Sequence, residues 1–328
     1  MALKLGILGL EEHFPYIEFG IKQARELFDV VGIVDNYEWN RGRRDKLAAE
    51  FAAPVMKDWK QLIDTGAQLI TVCMINNEKG PIICEFLKQG IHVVTDKPTV
   101  ATRADYEAVK AASASSPATV LSTLFTLRTD GAHRRVMQMV ADGAVGEIAS
   151  FYALRSYPLR PGRRVWWLFD ETKSGGFIVD LMTHDVDLMR QIVGPDAKVA
   201  AASQAKFTHG VEGKFQDVCQ MLFVYPSGAG AIIEGNRLVP NESSDCRLKV
   251  VGSKGIVEIN RFPDGLRILT HTAKGVSEVV PTEAGTHLLI NVAQHILEGA
   301  SLIVTTEDSL EASRLCIEVT EMAQIRNA

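Results

Sequence analysis

The sequence lacks several features that mark particular classes of protein. No hydrophobic run reaches the roughly eighteen residues of a membrane-spanning helix, so we expect no membrane partner. The five cysteines are scattered, odd in number and without a C-x-x-C pair, which argues against a disulfide framework or a zinc ribbon. We therefore predict a reducing, cytoplasmic compartment and no metal site.

Charge of one sign is also scarce. The formal net charge is −5, and the densest basic cluster, "RGRR" at 41–44, is diluted by nearby acids. Such a cluster is typical of a solvated helix start. A nucleic-acid-binding face needs concentrated basic charge, so we expect a small-molecule partner and no nucleic acid.

The first third of the chain alternates short apolar runs with segments of helical periodicity. This alternation predicts an α/β fold, with a Rossmann-like parallel sheet covered by helices on both faces. The predicted strands are 3–10, 29–35, 67–75, 91–96 and 118–125.

After residue 125 the pattern changes. A helix is predicted at 174–195, and residues 198–280 have the pattern of a meander with turns such as "PDG" at 263–265. Two helices close the chain. We therefore expect a Rossmann-like domain over 1–125 and an α+β domain with an open, mainly antiparallel sheet over 126–328.

The opening loop has the context of a nucleotide-binding turn but an altered sequence. From Gly9 the chain has G-L-E-E-H-F where a dinucleotide loop has G-x-G-x-x-G, so Glu11 replaces the second glycine and Phe14 the third. A carboxylate ~4 Å from a pyrophosphate charge costs about 4 kcal/mol at an effective dielectric of ~20. Relief requires Glu11 to turn away or to cap the next helix, and the loop alone leaves nucleotide binding open.

Asp35 favours a dinucleotide. It ends the second predicted strand about 20 residues after the loop, where an acid hydrogen-bonds the adenine ribose and disfavours the 2′-phosphate of NADP. NAD is therefore the expected cofactor. Two alternatives stay open: Asp35 could be an ordinary turn residue, and Arg41, Arg43 and Arg44 could accommodate a 2′-phosphate and admit NADP.

Two motifs make the chain resemble a known family. The fourth predicted strand leads into Asp96-Lys97-Pro98, and "SGGFIVDLMTHDVDLM" has a Gly-Gly lead followed by D-x-x-x-H-x-x-D. The residues of the second motif are Gly175, Gly176, Asp180, His184 and Asp187. In this order, and with "ADGAVGEIASF" at 141–151, nearly the whole chain resembles the Gfo/Idh/MocA oxidoreductases.

The resemblance implies hydride transfer between nicotinamide and a hydroxyl-bearing carbon of a sugar, cyclitol or related polyol. It implies that Lys97 and His184 handle the hydroxyl proton and that Asp180, on the same predicted helix face as His184, orients the site. It also implies a cis Lys97–Pro98 peptide bond. We interpret Asp187 as a structural helix acid. The plain alternatives are a solvated Lys97 and a buried His184 that is satisfied by Asp180.

The residues expected to contact ligands form two groups. Those expected to bind the cofactor are Gly9, Leu10, Glu11, His13, Asp35, Asn76 and Lys97. Those expected to bind the substrate are Lys97, Arg155, Trp167, Asp180 and His184, of which Lys97, Asp180 and His184 are the expected catalytic residues. Aromatic faces suit sugar rings and arginines suit carboxylates, whereas core packing and a solvated guanidinium are the alternatives for Trp167 and Arg155.

One stretch departs from the family pattern. Relatives often have Pro-Asn-x-x-His after the third strand, whereas this chain has "INNEKG", with Asn76 retained and Lys79 near the histidine position. Lys79 could contact a phosphate or an acidic substrate, but as a single lysine it is expected to be solvated. His13 could replace a lost loop contact to the cofactor, or it could be only a first-turn residue.

Two other functions stay open. The family includes regulatory members that bind nucleotide or sugar without catalysis, and the altered loop favours that alternative. The combination of Lys97, Asp180 and His184 favours catalysis instead. A further alternative is a redox-neutral cycle with tightly bound NAD, as in glycosidases of the family.

The predicted open sheet has apolar strands, such as "MLFVY", that should not stay exposed to water. The resemblance implies that such sheets pair face to face. We therefore expect a homodimer or homotetramer that forms through the C-terminal sheet.

Overall fold

The computed structural model describes residues 2–208, 211–240, 243–262 and 265–327. Within these residues the chain forms two compact units, the first from residues 1–124 and 286–313 and the second from residues 125–285 and 314–328. The predicted "PDG" turn includes Pro263 and Asp264, which lie outside the described residues.

The first unit contains a parallel sheet. Its strands are β1 (Leu3–Leu8), β2 (Phe28–Val34), β3 (Val55–Met56), β4 (Leu69–Val72), β5 (His92–Thr95) and β6 (Leu121–Thr123). In the described residues these six strands lie in the order β3-β2-β1-β4-β5-β6. The Rossmann-like prediction is therefore confirmed, and the additional strand β3 has only two residues, too few for a sequence pattern.

Helices connect these strands and cover the sheet. They are α1 (Phe14–Gln23), α2 (Arg41–Phe51), α3 (Lys60–Asp64), α4 (Lys79–Lys88) and α5 (Arg103–Ser115). Because all the strands run in one direction, their carboxyl ends meet at one edge, where ligands of such folds bind. Gly9, Asp35 and Lys97 follow β1, β2 and β5, so all three belong to this edge.

The second unit and the end of the chain are built as predicted from helices and a long meander. The elements are α6 (Gly131–Ala141), β7 (Ile148–Ser156), α7 (Glu171–Ser174), α8 (Thr183–Val193), β8 (Lys198–Lys206), β9 (Val218–Val224), β10 (Gly230–Asn236), β11 (Asp245–Gly252), β12 (Gly255–Phe262), β13 (Gly265–Thr272), β14 (Gly275–Val279), α9 (Leu288–Glu298), α10 (Thr306–Met322) and β15 (Gln324–Asn327). None of the described helices is both long and apolar enough to cross a membrane.

The sheet of the second unit is mainly antiparallel, as predicted. Its nine described strands lie in the order β14-β13-β12-β11-β7-β10-β9-β8-β15, with β7–β10 and β8–β15 as parallel pairs. Side chains alternate between the faces: Met221 and Phe223 are buried, whereas Leu222, Val224 and Ile232 are exposed. One face of the sheet therefore packs against α6 and α8, and the other presents apolar side chains to solvent.

The predicted helix at 174–195 is interrupted. Gly175 has a left-handed φ of 82° and ends α7, and residues Ile178–Met182 form a π-helical turn before α8 begins at Thr183. The two glycines of the motif make this break, since only glycine adopts such angles without strain.

Residues 286–313 belong to the first unit, whereas the sequence pattern predicts them in the α+β domain over 126–328. Strand β6 is an edge strand, and hydroxyls of α10 accept hydrogen bonds from it: Thr306 Oγ1 from Leu121 N and Ser309 Oγ from Thr123 N, each at 3.0 Å. A sheet edge needs such partners, which explains why a distant helix packs there. The other domain boundaries stay a prediction.

Candidate active site

The turn after β1 requires Gly9. Its φ is 77°, and a Cβ on it would collide with the carbonyl oxygen of Cys73. Its amide donates to Val34 O at 2.8 Å, which joins the turn to the end of β2. Phe14, in place of the third glycine, opens α1 and is fully buried. The loop therefore keeps the tight turn of a dinucleotide-binding fold although two of its glycines are replaced.

Glu11 turns toward the segment that follows β2. Its Oε1 accepts hydrogen bonds from Trp39 Nε1 and from Asn40 Nδ2, each at 2.7 Å, and the side chain is buried. His13 stands at the N-cap position of α1, and its side chain makes no capping hydrogen bond. Two neutral donors therefore hold this carboxylate against the segment after β2, which is one way for a buried carboxylate to be satisfied.

Asp35 forms a hydrogen-bonded cage with the opening loop. Its carboxylate accepts from Leu10 N at 2.8 Å, from Tyr37 N at 2.9 Å and from Asn40 Nδ2 at 3.1 Å. Burial raises the pKa of Asp35 above its usual value, and these hydrogen bonds offset only part of that effect. The structure thus brings Leu10, Glu11 and Asp35 together, with Asn40 as a shared donor to the two acids.

The three arginines that could have accommodated a 2′-phosphate are engaged with acids. Arg41 pairs with Glu38 at 3.4 Å, Arg43 with Glu18 at 2.7 Å and Arg44 with Asp45 at 2.8 Å. Arg44 also donates to Asp35 O at 3.0 Å. A phosphate at this position would have to compete with these carboxylates.

The segment after β5 buries two charged side chains. Asp96 and Lys97 are only 2 % and 3 % exposed, and the Lys97–Pro98 bond is cis, which confirms that prediction. Asp96 Oδ1 pairs with His13 Nδ1 at 2.8 Å, and Oδ2 accepts from His13 N at 3.2 Å. Burial alone would raise the pKa of Asp96, but His13, Lys97 and Lys79 together hold it well below its usual range. His13 therefore ties the opening loop to the end of β5, and its predicted cofactor contact stays a prediction.

The expectation of a solvated Lys79 is wrong. Lys79 is 0 % exposed, and its ammonium donates to Asp96 O at 2.9 Å and to Pro98 O at 2.5 Å. Asn76, also buried, opens a 3₁₀ turn over Asn76–Glu78 that leads directly into α4. The altered "INNEKG" stretch thus supports the segment that carries Lys97.

Asp180 lies in the π-helical turn of the second unit, where it is buried. Its Oδ2 is 3.9 Å from Arg237 Nη2, and both residues line a cavity with Phe177, Gln216 and other side chains. His184 lies in the first turn of α8 and meets the Phe125 ring edge-on at 6.4 Å between ring centres. The π turn changes the helical spacing between Asp180 and His184, so their predicted contact stays a prediction.

Asp187 is a structural acid, as interpreted from the sequence. Arg128 donates two hydrogen bonds to its carboxylate, from Nε at 2.8 Å and from Nη2 at 2.5 Å, and both residues are buried. This bidentate pair joins the segment before α6 to α8.

Two predicted substrate contacts have other environments. Trp167 is fully buried and offers no face to a sugar, so the structure does not support this prediction, whereas the neighbouring Trp166 is 53 % exposed. Arg155 is buried and donates two hydrogen bonds to the carboxylate of Asp185. Burial alone would lower the pKa of the guanidinium, but the Asp185 carboxylate outweighs burial and raises it. Trp167 has no exposed surface with which to contact a substrate. The Arg155 guanidinium already donates to Asp185 from two of its nitrogens.

Sequence reasoning missed several of these partners. Trp39 and Asn40 follow Asp35 closely, and an amide just after an acidic strand end is a signal that could have been used. Arg237 and Asp185 carry no comparable signal, because their roles depend on strand register and on the helix break.

The chain matches two profiles of one family. Residues 3–123 match the "oxidoreductase family, NAD-binding Rossmann fold" and residues 133–258 match the "GFO/IDH/MocA C-terminal domain". The chain belongs to the Gfo/Idh/MocA family. Its resemblance to that family is thereby confirmed, and its first unit contains the NAD(P)-binding Rossmann domain of an oxidoreductase.

The chain is similar to named sugar and cyclitol oxidoreductases. A myo-inositol 2-dehydrogenase of Thermotoga maritima is 27 % identical over 70 % of this chain and 66 % of that enzyme. A scyllo-inositol 2-dehydrogenase (NADP(+)) of Bacillus subtilis is 22 % identical over 96 % of this chain and 92 % of that enzyme. A 3-ketoreductase of Actinomadura kijaniata, solved with NADP and TDP-benzene, has the same fold, with a TM-score of 0.81 at 19 % identity over the whole of both chains.

Proposed function

We propose that this oxidoreductase transfers hydride between NAD and a hydroxyl-bearing carbon of a sugar, cyclitol or related polyol. The observation that carries the proposal is the end of β5, where Lys97 follows a buried, ionised Asp96 at the ligand-binding edge of a parallel sheet. A lysine held at that edge suits the polarisation of a substrate oxygen.

Each catalytic side chain has a proposed role. Bound NAD supplies the hydride acceptor, C4 of its nicotinamide. In the direction of alcohol oxidation Lys97 polarises the hydroxyl oxygen, His184 takes its proton, and Asp180 orients the imidazole. These three residues form the proposed substrate-binding set. Arg155 and Trp167 are omitted from it, because Asp185 engages Arg155 and Trp167 is enclosed in the core.

The residues around the opening loop fit NAD better than NADP. Gly9 keeps the tight turn, and Asp35 stands where an acid binds the ribose hydroxyls. Asn40 Nδ2 donates to both Glu11 and Asp35, so these two carboxylates lie close together, and a 2′-phosphate beside Asp35 would be repelled by both. The nearby arginines, which could attract a phosphate, are already paired with acids. The proposed cofactor set is Gly9, Leu10, Glu11, His13, Asp35, Asn76 and Lys97.

The proposal includes a homodimer or homotetramer that covers the exposed apolar face of the second sheet, formed by Leu222, Val224 and Ile232. Light scattering at micromolar concentration tests it, and a monomer would contradict it. We also propose a cytoplasmic protein, consistent with five cysteines that are all described and all free.

Calorimetric titration with NAD⁺, NADH, NADP⁺ and NADPH tests the proposed function first. We expect micromolar binding of the NAD pair, followed by NADH formation with a member of a polyol panel that includes myo-inositol and scyllo-inositol. Cofactor-free protein that binds none of the four would favour the regulatory alternative. Binding and turnover without accumulation of free NADH would favour the redox-neutral cycle.

A further inference from the structure

Lys79 is a fully enclosed lysine in the first unit. Lysine is almost never completely buried unless its ammonium has partners, because removing the charge from water is costly. Here the Nζ atom donates to two backbone carbonyl oxygens, Asp96 O and Pro98 O, and the side chain has no exposed surface.

Helix stability does not explain this residue. Lys79 is the first residue of α4, and no acidic residue stands in that first turn. A cation at the positive end of a helix dipole is unfavourable, and cations stabilise helices at the opposite end. The position of the ammonium is therefore explained by what it holds rather than by the helix that carries it.

The two carbonyls that Lys79 holds lie on either side of Lys97 in the chain. Anchoring both restricts the backbone of Lys97 and Pro98 and thus the direction in which the Lys97 side chain leaves the turn. The ammonium also helps to keep the neighbouring Asp96 carboxylate ionised in a buried environment. One side chain thus contributes both to the geometry of this segment, through two hydrogen bonds, and to its charge, together with His13 and Lys97.

We propose that Lys79 is a positioning residue for Lys97, acting through the carbonyls of Asp96 and Pro98. The proposal rests on the proposed function only for the catalytic role of Lys97. The hold of Lys79 on the turn is a property of the folded chain that can be measured without a substrate.

The test compares Lys79→Met, which has similar length but neither donors nor charge, with Lys88→Met, an exposed lysine at the end of the same helix. We expect Lys79→Met to speed amide hydrogen exchange in peptides covering 95–101 but not in the rest of the unit. The kcat for the polyol that the wild type oxidises should fall about 10–100-fold, the range seen when a supporting residue is removed. The KM and the NAD⁺ dissociation constant should change less than about threefold, and Lys88→Met should match the wild type.

Unchanged exchange over 95–101, or unchanged kcat, would overturn the proposal. A parallel loss of stability, NAD⁺ binding and protection throughout the unit would also overturn it, because it would show a purely structural role. If Lys79→Met does not fold, the shorter and uncharged Lys79→Gln decides: faster exchange over 95–101 with lowered kcat at unchanged KM supports positioning, and wild-type exchange and kcat reject it. A wild type that oxidises no polyol would instead end the proposed function, while the exchange comparison over 95–101 would still show whether Lys79 holds the turn.

Discussion

Two strands of the parallel sheet, β1 and β5, end at the same edge, and each leads into a buried carboxylate that is held differently. At the end of β1, Glu11 accepts hydrogen bonds from the neutral indole of Trp39 and amide of Asn40. At the end of β5, Asp96 lies among His13, Lys97 and Lys79. The first end departs from the family motif and the second retains it. Neutral hydrogen-bond donors thus take part in accommodating the departure, whereas the segment that carries the proposed chemistry concentrates charge.

The two ends are physically connected. His13 belongs to the altered loop, yet its imidazole and amide both contact Asp96. A loop that had lost all relation to the site would not need this contact. The comparison therefore predicts that charge changes at β5 have large effects and that a charge change at Glu11 acts selectively on the cofactor.

The largest effect is expected from Lys97→Met. Removing the proposed proton-handling group should lower kcat by about three orders of magnitude, within the range for general acid–base catalysis, while NAD⁺ binding weakens much less, since Lys97 is only one of several residues in the proposed cofactor set. Steady-state kinetics and calorimetry measure the two quantities. The exposed Lys110→Met is the control, and a Lys97→Met protein with full turnover would contradict the assigned role.

Asp96→Asn should destabilise the protein by about 3 kcal/mol, because it leaves buried cations without their carboxylate. Since the folded-state pKa of Asp96 is lowered, its contribution is present above the unfolded pKa of about 4 and is lost only as pH falls below it. Urea unfolding at pH 7 measures the difference. Asp29, an exposed acid on β2, is the control, and Asp29→Asn should change the free energy of unfolding little. Equal losses of stability in the two variants would mean that the buried cations do not depend on the Asp96 carboxylate.

Glu11→Gln should change the NAD⁺ dissociation constant by less than about threefold and tighten NADP⁺ binding about tenfold, which is about 1.4 kcal/mol. The amide oxygen can still accept from Trp39 and Asn40, so the variant removes mainly charge. Calorimetry with both dinucleotides measures the ratio, and Glu26→Gln, an exposed acid of the same unit, is the control. An unchanged ratio would mean that Asp35 alone disfavours the 2′-phosphate.

The smallest effect concerns the support of α1, which follows the opening loop. His287 donates from Nε2 to Tyr16 O and accepts from Leu289 N at Nδ1, and burial lowers its pKa to about 4. Its neutral form is favoured on folding, so its stabilisation is full above the unfolded pKa of about 6.5 and is lost as pH falls toward 4. Stability should drop by about 1 kcal/mol between pH 7 and pH 5.5.

Urea unfolding of His287→Asn at both pH values isolates that contribution, because asparagine can still accept from Leu289 N but does not titrate. Its pH dependence should be smaller than that of the wild type. If the stability of His287→Asn changes with pH as much as that of the wild type, the pH dependence arises from other groups.

Much of the fold could be predicted because it depends on local patterns. The apolar runs gave the strands of the first sheet, and the resemblance gave the family and the cis bond at Lys97. Residues 286–313 could not be assigned correctly, because their place depends on hydroxyls of Thr306 and Ser309 that reach an edge strand far away in sequence. The helix break before His184 could not be predicted either, because the spacing of apolar residues indicates a helix but does not reveal a local π-helical turn within it.

The sequence by itself determined the two-part α/β and α+β architecture and the order of the Lys97, Asp180 and His184 motifs. Only the tertiary structure decided how the unusual residues are used. Glu11 could have faced a phosphate and Lys79 could have been solvated. The first is held by Trp39 and Asn40, and the second is enclosed by Asp96 and Pro98. The physical reason is that burial and hydrogen-bond partners depend on contacts between segments far apart in the chain. A charged side chain can be buried only where such partners compensate for its lost hydration.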